Sequence, residues 1–134
     1  MVVIDDNVGV RQMLALALET TGFEVLEAGT ELELQRLLAQ RRPDALLIDL
    51  QRSAADGLHL LNRMRSRPSL RGTPILFLAG THDDAFREQA LEAGADYFGL
   101  RPLGMIELQN EVIELVAGRR RGTEPHPRQH KRVS

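Results

Sequence analysis

Apolar and polar positions follow one another along this chain in a repeating pattern. Val2-Val3-Ile4 is a short apolar run that stops at Asp5-Asp6-Asn7, after which Val10, Met13, Leu14, Ala17 and Leu18 recur at helical spacing as far as Gly22. This spacing predicts a strand followed by a helix. Phe23 to Ala28 alternates as a second strand, and Thr30 with Glu33 forms a capping-box pattern that opens a helix carrying Leu34, Leu37 and Leu38 to Pro43. Ala45-Leu46-Leu47-Ile48 is apolar throughout, as expected of a strand covered on both faces, and it ends at Asp49. Leu58, Leu61 and Met64 mark a third helix. Pro74 introduces Ile75-Leu76-Phe77-Leu78-Ala79, a helix follows from about Asp83 to Ala93, and Gly94 is its stop. Tyr97 to Leu100 is a last short strand, and after Arg101-Pro102 the residues Ile106, Val112, Ile113, Leu115 and Val116 mark a final helix.

Five strands alternating with five helices over short connections predict an α/β fold, a parallel sheet with helices on both faces. Chemistry in such sheets gathers at the carboxyl ends of the strands. Asp5, Asp6, Asp49 and Arg101 all fall where expected strands run out, on three different strands, so they should converge at one edge. A single Asp at a strand end is ordinarily a cap or turn former; three loaded ends are harder to explain that way. Carboxylates held close together repel one another and call for a positive partner. A hard divalent cation such as Mg²⁺, bound by carboxylate and carbonyl oxygens and water, meets that need, with Arg101 adding positive charge. Such a site could accept a phosphoryl group on a carboxylate oxygen.

Composition narrows the classes. The 134 residues suit one domain, and the absence of cysteine excludes disulfides, thiolate nucleophiles and cysteine metal sites. No apolar stretch reaches the length of a membrane span and the acidic pair interrupts any signal-peptide core, so a cytoplasmic protein without membrane contact is expected. The net charge of −2 hides an asymmetry. Residues 1–117 hold 11 Arg and 18 Asp/Glu, a net of −7, whereas 118–134 hold 6 Lys/Arg and one Glu, a net of +5. The expected organisation is thus a domain over 1–117 and a flexible basic tail or truncated linker over 118–134. The run Arg119-Arg120-Arg121 in that tail reads as solvated, and nucleic-acid binding is not expected of the domain itself.

The strings "VVIDDN", "LLIDL" with "DG" seven residues after its Asp, "PILFLAG" and "ALEAGADYFGLRPL" resemble, in order and separation, the receiver domains of two-component response regulators over residues 1 to about 117. The resemblance implies a flavodoxin-like sheet of strand order 2-1-3-4-5. It also implies phosphorelay signalling in which Asp49 takes phosphate from a sensor histidine kinase or phosphotransfer protein. Asp5, Asp6 and Asp49 would hold Mg²⁺, with the backbone carbonyl of Gln51 completing the metal site, and Gln51 and Thr81 would tune phosphate lifetime. A homodimer through the last two helices and last strand is a further implication; the downstream target is not indicated.

The chain departs from that family at several places. Ala79 stands where the family places Thr or Ser, whose hydroxyl bonds a phosphoryl oxygen, and Arg101 replaces the usual Lys. A guanidinium is a planar fork that keeps its proton, so Arg101 could bridge Asp49, hold the pocket closed or meet phosphate bidentately. Phe98 lies at the family's aromatic switch position, yet with Ala79 unable to pull on it a buried strand residue is the expectation. Arg52 and Ser53 replace a common Met-Pro pair; Arg52 could reach the pocket but reads first as a solvated loop charge, and His59 and His82, which are not spaced as metal ligands, read as exposed helix or loop residues. The alternative to a phosphoacceptor is a phosphorylation-independent pseudo-receiver acting as an interaction or dimerisation module. An enzyme is not expected, because an acid-nucleophile phosphohydrolase of the haloacid dehalogenase type needs a second Asp where Gln51 stands.

Overall fold

The computed structural model describes residues 1–50, 54–80, 84–101 and 104–120. Strands β1 (Val2–Ile4), β2 (Leu26–Ala28), β3 (Leu46–Ile48), β4 (Ile75–Ala79) and β5 (Tyr97–Leu100) alternate with helices α1 (Val8–Glu19), α2 (Glu31–Gln40), α3 (Ala54–Arg65), α4 (Asp84–Glu92) and α5 (Met105–Arg120). The strands form one parallel sheet of order β2-β1-β3-β4-β5. Among the described residues no helix is long and apolar enough to cross a membrane.

Side chains along a strand point alternately to the two faces, and here both faces are apolar because both are covered. Val2, Ile4, Leu46, Ile48, Ile75, Phe77 and Phe98 pack with Leu34, Leu61 and Phe86 of α2, α3 and α4. Val3, Leu47, Leu76, Leu78 and Tyr97 pack on the other side with Leu14 and Leu18 of α1 and Leu108, Val112 and Leu115 of α5. The uninterrupted apolar runs of β3 and β4 follow from this double burial.

Local signals place the helix ends. Thr30 Oγ1 accepts from the Glu33 N–H at 3.1 Å, and Glu33 reaches back to the Gly29 N–H at 2.7 Å, so the capping box forms one residue wider than the simplest pattern. Thr30→Ala should lower stability by about 1 kcal/mol, read by urea denaturation, whereas Thr30→Ser should stay close to the parent. Gly94 adopts φ +116° just beyond α4, and a Cβ there would also meet the Arg65 side chain at 2.6 Å. Arg65 is held there for a reason. It donates to the carbonyls of Leu70 and Thr73 and to Asp96, whose carboxylate also accepts the Ile75 N–H, tying the end of α3 to the starts of β4 and β5.

Some expected boundaries shift. β2 begins at Leu26 instead of Phe23, because as an edge strand it pairs only with the three residues of β1; Val25 is buried and Phe23 packs on the same cluster without joining the ladder. A 3₁₀ turn at Pro68–Leu70, unforeseen in the pattern, buries Leu70 beneath the end of α3. α4 begins at Asp84, the expected start at Asp83 lying outside the described residues, and α5 runs from Met105 to Arg120. The remainder of the basic segment, 121–134, lies outside the described residues.

Candidate functional site

Register brings the acids together. Ile4 lies opposite Ile48, so the next residues, Asp5 and Asp49, emerge side by side from the carboxyl ends of β1 and β3, and the Asp49 N–H donates to the Ile4 carbonyl at 3.0 Å. Both acids are fully buried, Asp5 at 0% and Asp49 at 1% exposure. The Asp5 carboxylate accepts the Asn7 N–H at 2.9 Å, and Asn7 in turn caps α1 by accepting from Val10. A tight polar turn thereby aims Asp5 inward while α1 begins immediately after it. Asp6 is half-buried beside the pair.

Ala79 and Leu100 are register partners, and the Arg101 N–H donates to the Ala79 carbonyl at 2.8 Å. This fixes where Arg101 leaves the sheet. Its Nη1 donates to Asp49 Oδ1 and, at 3.3 Å, to the Leu50 carbonyl. The guanidinium is about a quarter exposed, so it links a buried carboxylate to the surface. Next to Ala79, a Cβ placed on Gly80 would meet Arg101 Nη2 at 2.9 Å. Only a residue without a side chain lets the planar fork lie there undisturbed.

Burial pushes the Asp49 carboxyl above the ordinary Asp value. Arg101 counters that rise through attraction and hydrogen bonding, as does the Asp5 carboxyl within hydrogen-bonding reach, while repulsion from Asp6 adds to it; burial prevails. Two buried acids thus lie side by side, with the Arg101 guanidinium seated on Asp49. Among the described residues no three carboxylate or histidine side chains converge as a ligand cluster. The two that meet, Asp5 and Asp49, fit the one or two carboxylates through which Mg²⁺ is usually bound, and their excess negative charge suits a cation.

The structure therefore assembles Asp5, Asp49, Arg101 and Ala79 at one edge, with Asp6 alongside. Gln51 and Thr81 lie outside the described residues, as do Arg52, Ser53 and His82. His59 is on α3, on the rim of a cleft shared with Glu31, Asp56 and Arg63, where the Arg63 hydrogen bond holds the Glu31 carboxyl below its usual range. Phe98 is 2% exposed and packs against both Phe77 and Phe86, with ring centroids 6.1 Å from each, which is the buried strand position expected of it.

Sequence reasoning passed over Arg11. Its Nη1 donates to the Asp5 carbonyl and its Nε to Glu27 on β2, both at 3.0 Å, bracing the acidic turn against the edge strand. The signal was a charge on the apolar side of α1, one residue from Val10 and three from Leu14.

A family model for the response regulator receiver domain matches residues 1–113. The chain belongs to this family. Curated relatives of the receiver include the phosphate regulon transcriptional regulatory protein PhoB of Pseudomonas aeruginosa, 31% identical over 79% of the chain and 46% of that protein. Another is the KDP operon transcriptional regulatory protein KdpE of Escherichia coli, 31% identical over 93% of the chain and 54% of that protein. The chain spans about half the length of these relatives. Among solved structures, the signal receiver domain of a signal transduction histidine kinase from Syntrophus aciditrophicus superposes with TM-score 0.77 at 26% identity, covering 99% of this chain and 92% of that one. The chemotaxis response regulator CheY4 of Vibrio cholerae shares the fold, with TM-score 0.75 at 22% identity over 85% of this chain and 95% of that one. The sheet order found here is the flavodoxin-like order of receiver domains.

Proposed function

We propose that this receiver domain is a phosphoacceptor, taking a phosphoryl group on Asp49 from the phosphohistidine of a sensor histidine kinase or phosphotransfer protein. The observation that carries the reading is the meeting of two fully buried acids, Asp5 and Asp49, at adjacent strand ends, with the Arg101 guanidinium on Asp49. A buried carboxylate carries an energetic penalty that a purely structural position would relieve with Asn or an apolar residue. Function is the better account of its presence.

In the proposed step an Asp49 carboxylate oxygen attacks phosphorus, forming a P–O bond as the P–N bond breaks. The electron pair goes to the histidine ring, which takes up a proton. The ionised carboxylate is much the better nucleophile, and Arg101 favours that form against burial. Arg11 holds the acidic turn in place through the Asp5 carbonyl. Mg²⁺ would be held by the carboxylates of Asp5 and Asp49 and would supply charge neutralisation between the acids and the phosphoryl oxygens. The Ala79 methyl offers no hydrogen bond to a phosphoryl oxygen, so switching through that position should be weakened more than acceptance. We read the domain as a signalling module and not an enzyme. Pairing as a homodimer through α4, β5 and α5 is supported by the exposed Ile106 and Ile113 on α5.

A second reading is favoured by the Arg101 contact itself: a guanidinium already seated on Asp49 would suit a pseudo-receiver that keeps the fold for docking alone. Incubation with Mg²⁺ and acetyl phosphate separates the two. The intact mass should rise by one phosphoryl group in the parent and not in Asp49→Asn; an unchanged parent mass under forcing conditions would favour the pseudo-receiver.

A further inference from the structure

We propose that Arg101 fills two roles usually divided between two side chains, pairing with the Asp49 carboxylate through Nη1 and donating through Nη2 to the phosphoryl oxygen that a hydroxyl at position 79 would otherwise hold. The proposal rests on the reading of Asp49 as a phosphoacceptor. Its geometry is local. The Arg101 backbone is pinned to the Ala79 carbonyl at 2.8 Å, so the side chain starts level with the end of β4. From there Nη1 reaches Asp49 and the Leu50 carbonyl, on the β3 side. Nη2 lies over Gly80, where an added Cβ would stand 2.9 Å from it, 3.8 Å from Cζ and 3.9 Å from Nε. The fork therefore spans from the acceptor carboxylate to the backbone next to Ala79.

A lysine ammonium is a point charge on one nitrogen, whereas a guanidinium presents donors on separate nitrogens held in one plane. Arg at 101 and Ala at 79 are then one linked departure, with the hydroxyl made redundant by the fork. Gly80 completes the arrangement. Its φ is not positive, so alanine is conformationally acceptable at 80 and would act by crowding Nη2.

The test is a double-mutant cycle in the full chain, reading beryllofluoride affinity in the presence of Mg²⁺ by ¹⁹F NMR. Arg101→Lys should weaken binding at least about tenfold, and Ala79→Thr should recover most of that loss in the Arg101→Lys background while changing the parent less than about twofold. Gly80→Ala should weaken binding in the parent and leave the Arg101→Lys background unaffected. Equal gains from Ala79→Thr in both backgrounds would overturn the proposal, because the fork would then not be covering that oxygen. So would an effect of Gly80→Ala that is the same in both. If neither the parent nor any variant binds, including the Ala79→Thr/Arg101→Lys double variant, the phosphoacceptor reading itself fails and the proposal falls with it.

Discussion

Asp49→Asn should raise the midpoint of thermal unfolding at neutral pH, and the advantage should vanish as the pH falls below the ordinary Asp range. In the folded chain the Asp49 carboxyl ionises less readily than in water, burial being the main cause. Above the ordinary carboxylate value the unfolded chain gains from ionising Asp49 in solvent, and the folded chain does not gain equally. Stability therefore drops as pH rises from the ordinary value through the raised one, and the deficit persists at neutrality. Asparagine is uncharged at every pH and removes the deficit. The sign of the difference follows from burial outweighing attraction to Arg101, and the variant should melt higher at pH 7 but not at pH 3. Arg101 opposes the effect, since it loses its partner, but it is partly exposed and can turn to water. Paired melts at pH 7 and pH 3 measure the difference. A lower Tm for the variant at pH 7 would show that attraction to Arg101 outweighs burial, reversing the assigned direction.

Phe98→Ala should cost roughly 3–5 kcal/mol, a large part of the 5–15 kcal/mol that typically separates folded from unfolded domains. The ring touches Phe77 on the neighbouring strand and Phe86 on α4, and these two lie 5.9 Å apart, so the three rings close a small aromatic cluster over β4 and β5. Removing one of the three rings leaves a cavity that the strands cannot collapse without losing register. Urea denaturation at 25 °C would report the loss, with Leu16→Ala on the exposed face of α1 as a comparison expected within about 0.5 kcal/mol. The same packing bears on signalling. A ring at this position that swung outward on activation would leave its two neighbours without contact on that side, and Ala79 offers no hydroxyl to reward the motion. A loss below about 1 kcal/mol would mean that Phe98 is loosely held and free to move.

The architecture was readable in the chain because burial on both faces writes itself as apolar runs, as at Leu46-Leu47-Ile48 and from Ile75 to Ala79. The meeting of Asp5 and Asp49 was readable for a related reason: parallel strands in register must end together, and each strand ended in an acid. Boundaries set by pairing were harder. Phe23 and Val25 look like strand residues because they are apolar and pack on the core, but β1 has no further residues with which to bond them. Arg11 carried only a weak signal, its place on the apolar side of α1, since a charged residue in a helix ordinarily reads as solvated and only the fold shows Asp5 and Glu27 within its reach. The Gly80 contact lay further out of sight. It depends on a side chain twenty-one positions away in the chain, and nothing about an Ala-Gly dipeptide announces that a guanidinium will rest on it.

Arg101 also makes the pocket's charge chemically durable. Acyl donors modify free amines and leave guanidinium groups intact under mild conditions, and the single lysine of the chain is Lys131, outside residues 1–117. A receiver whose cation is a lysine can be discharged by acetylation at the very place where phosphate is received. Here an acetylating environment leaves the positive end of the Asp49 pair untouched.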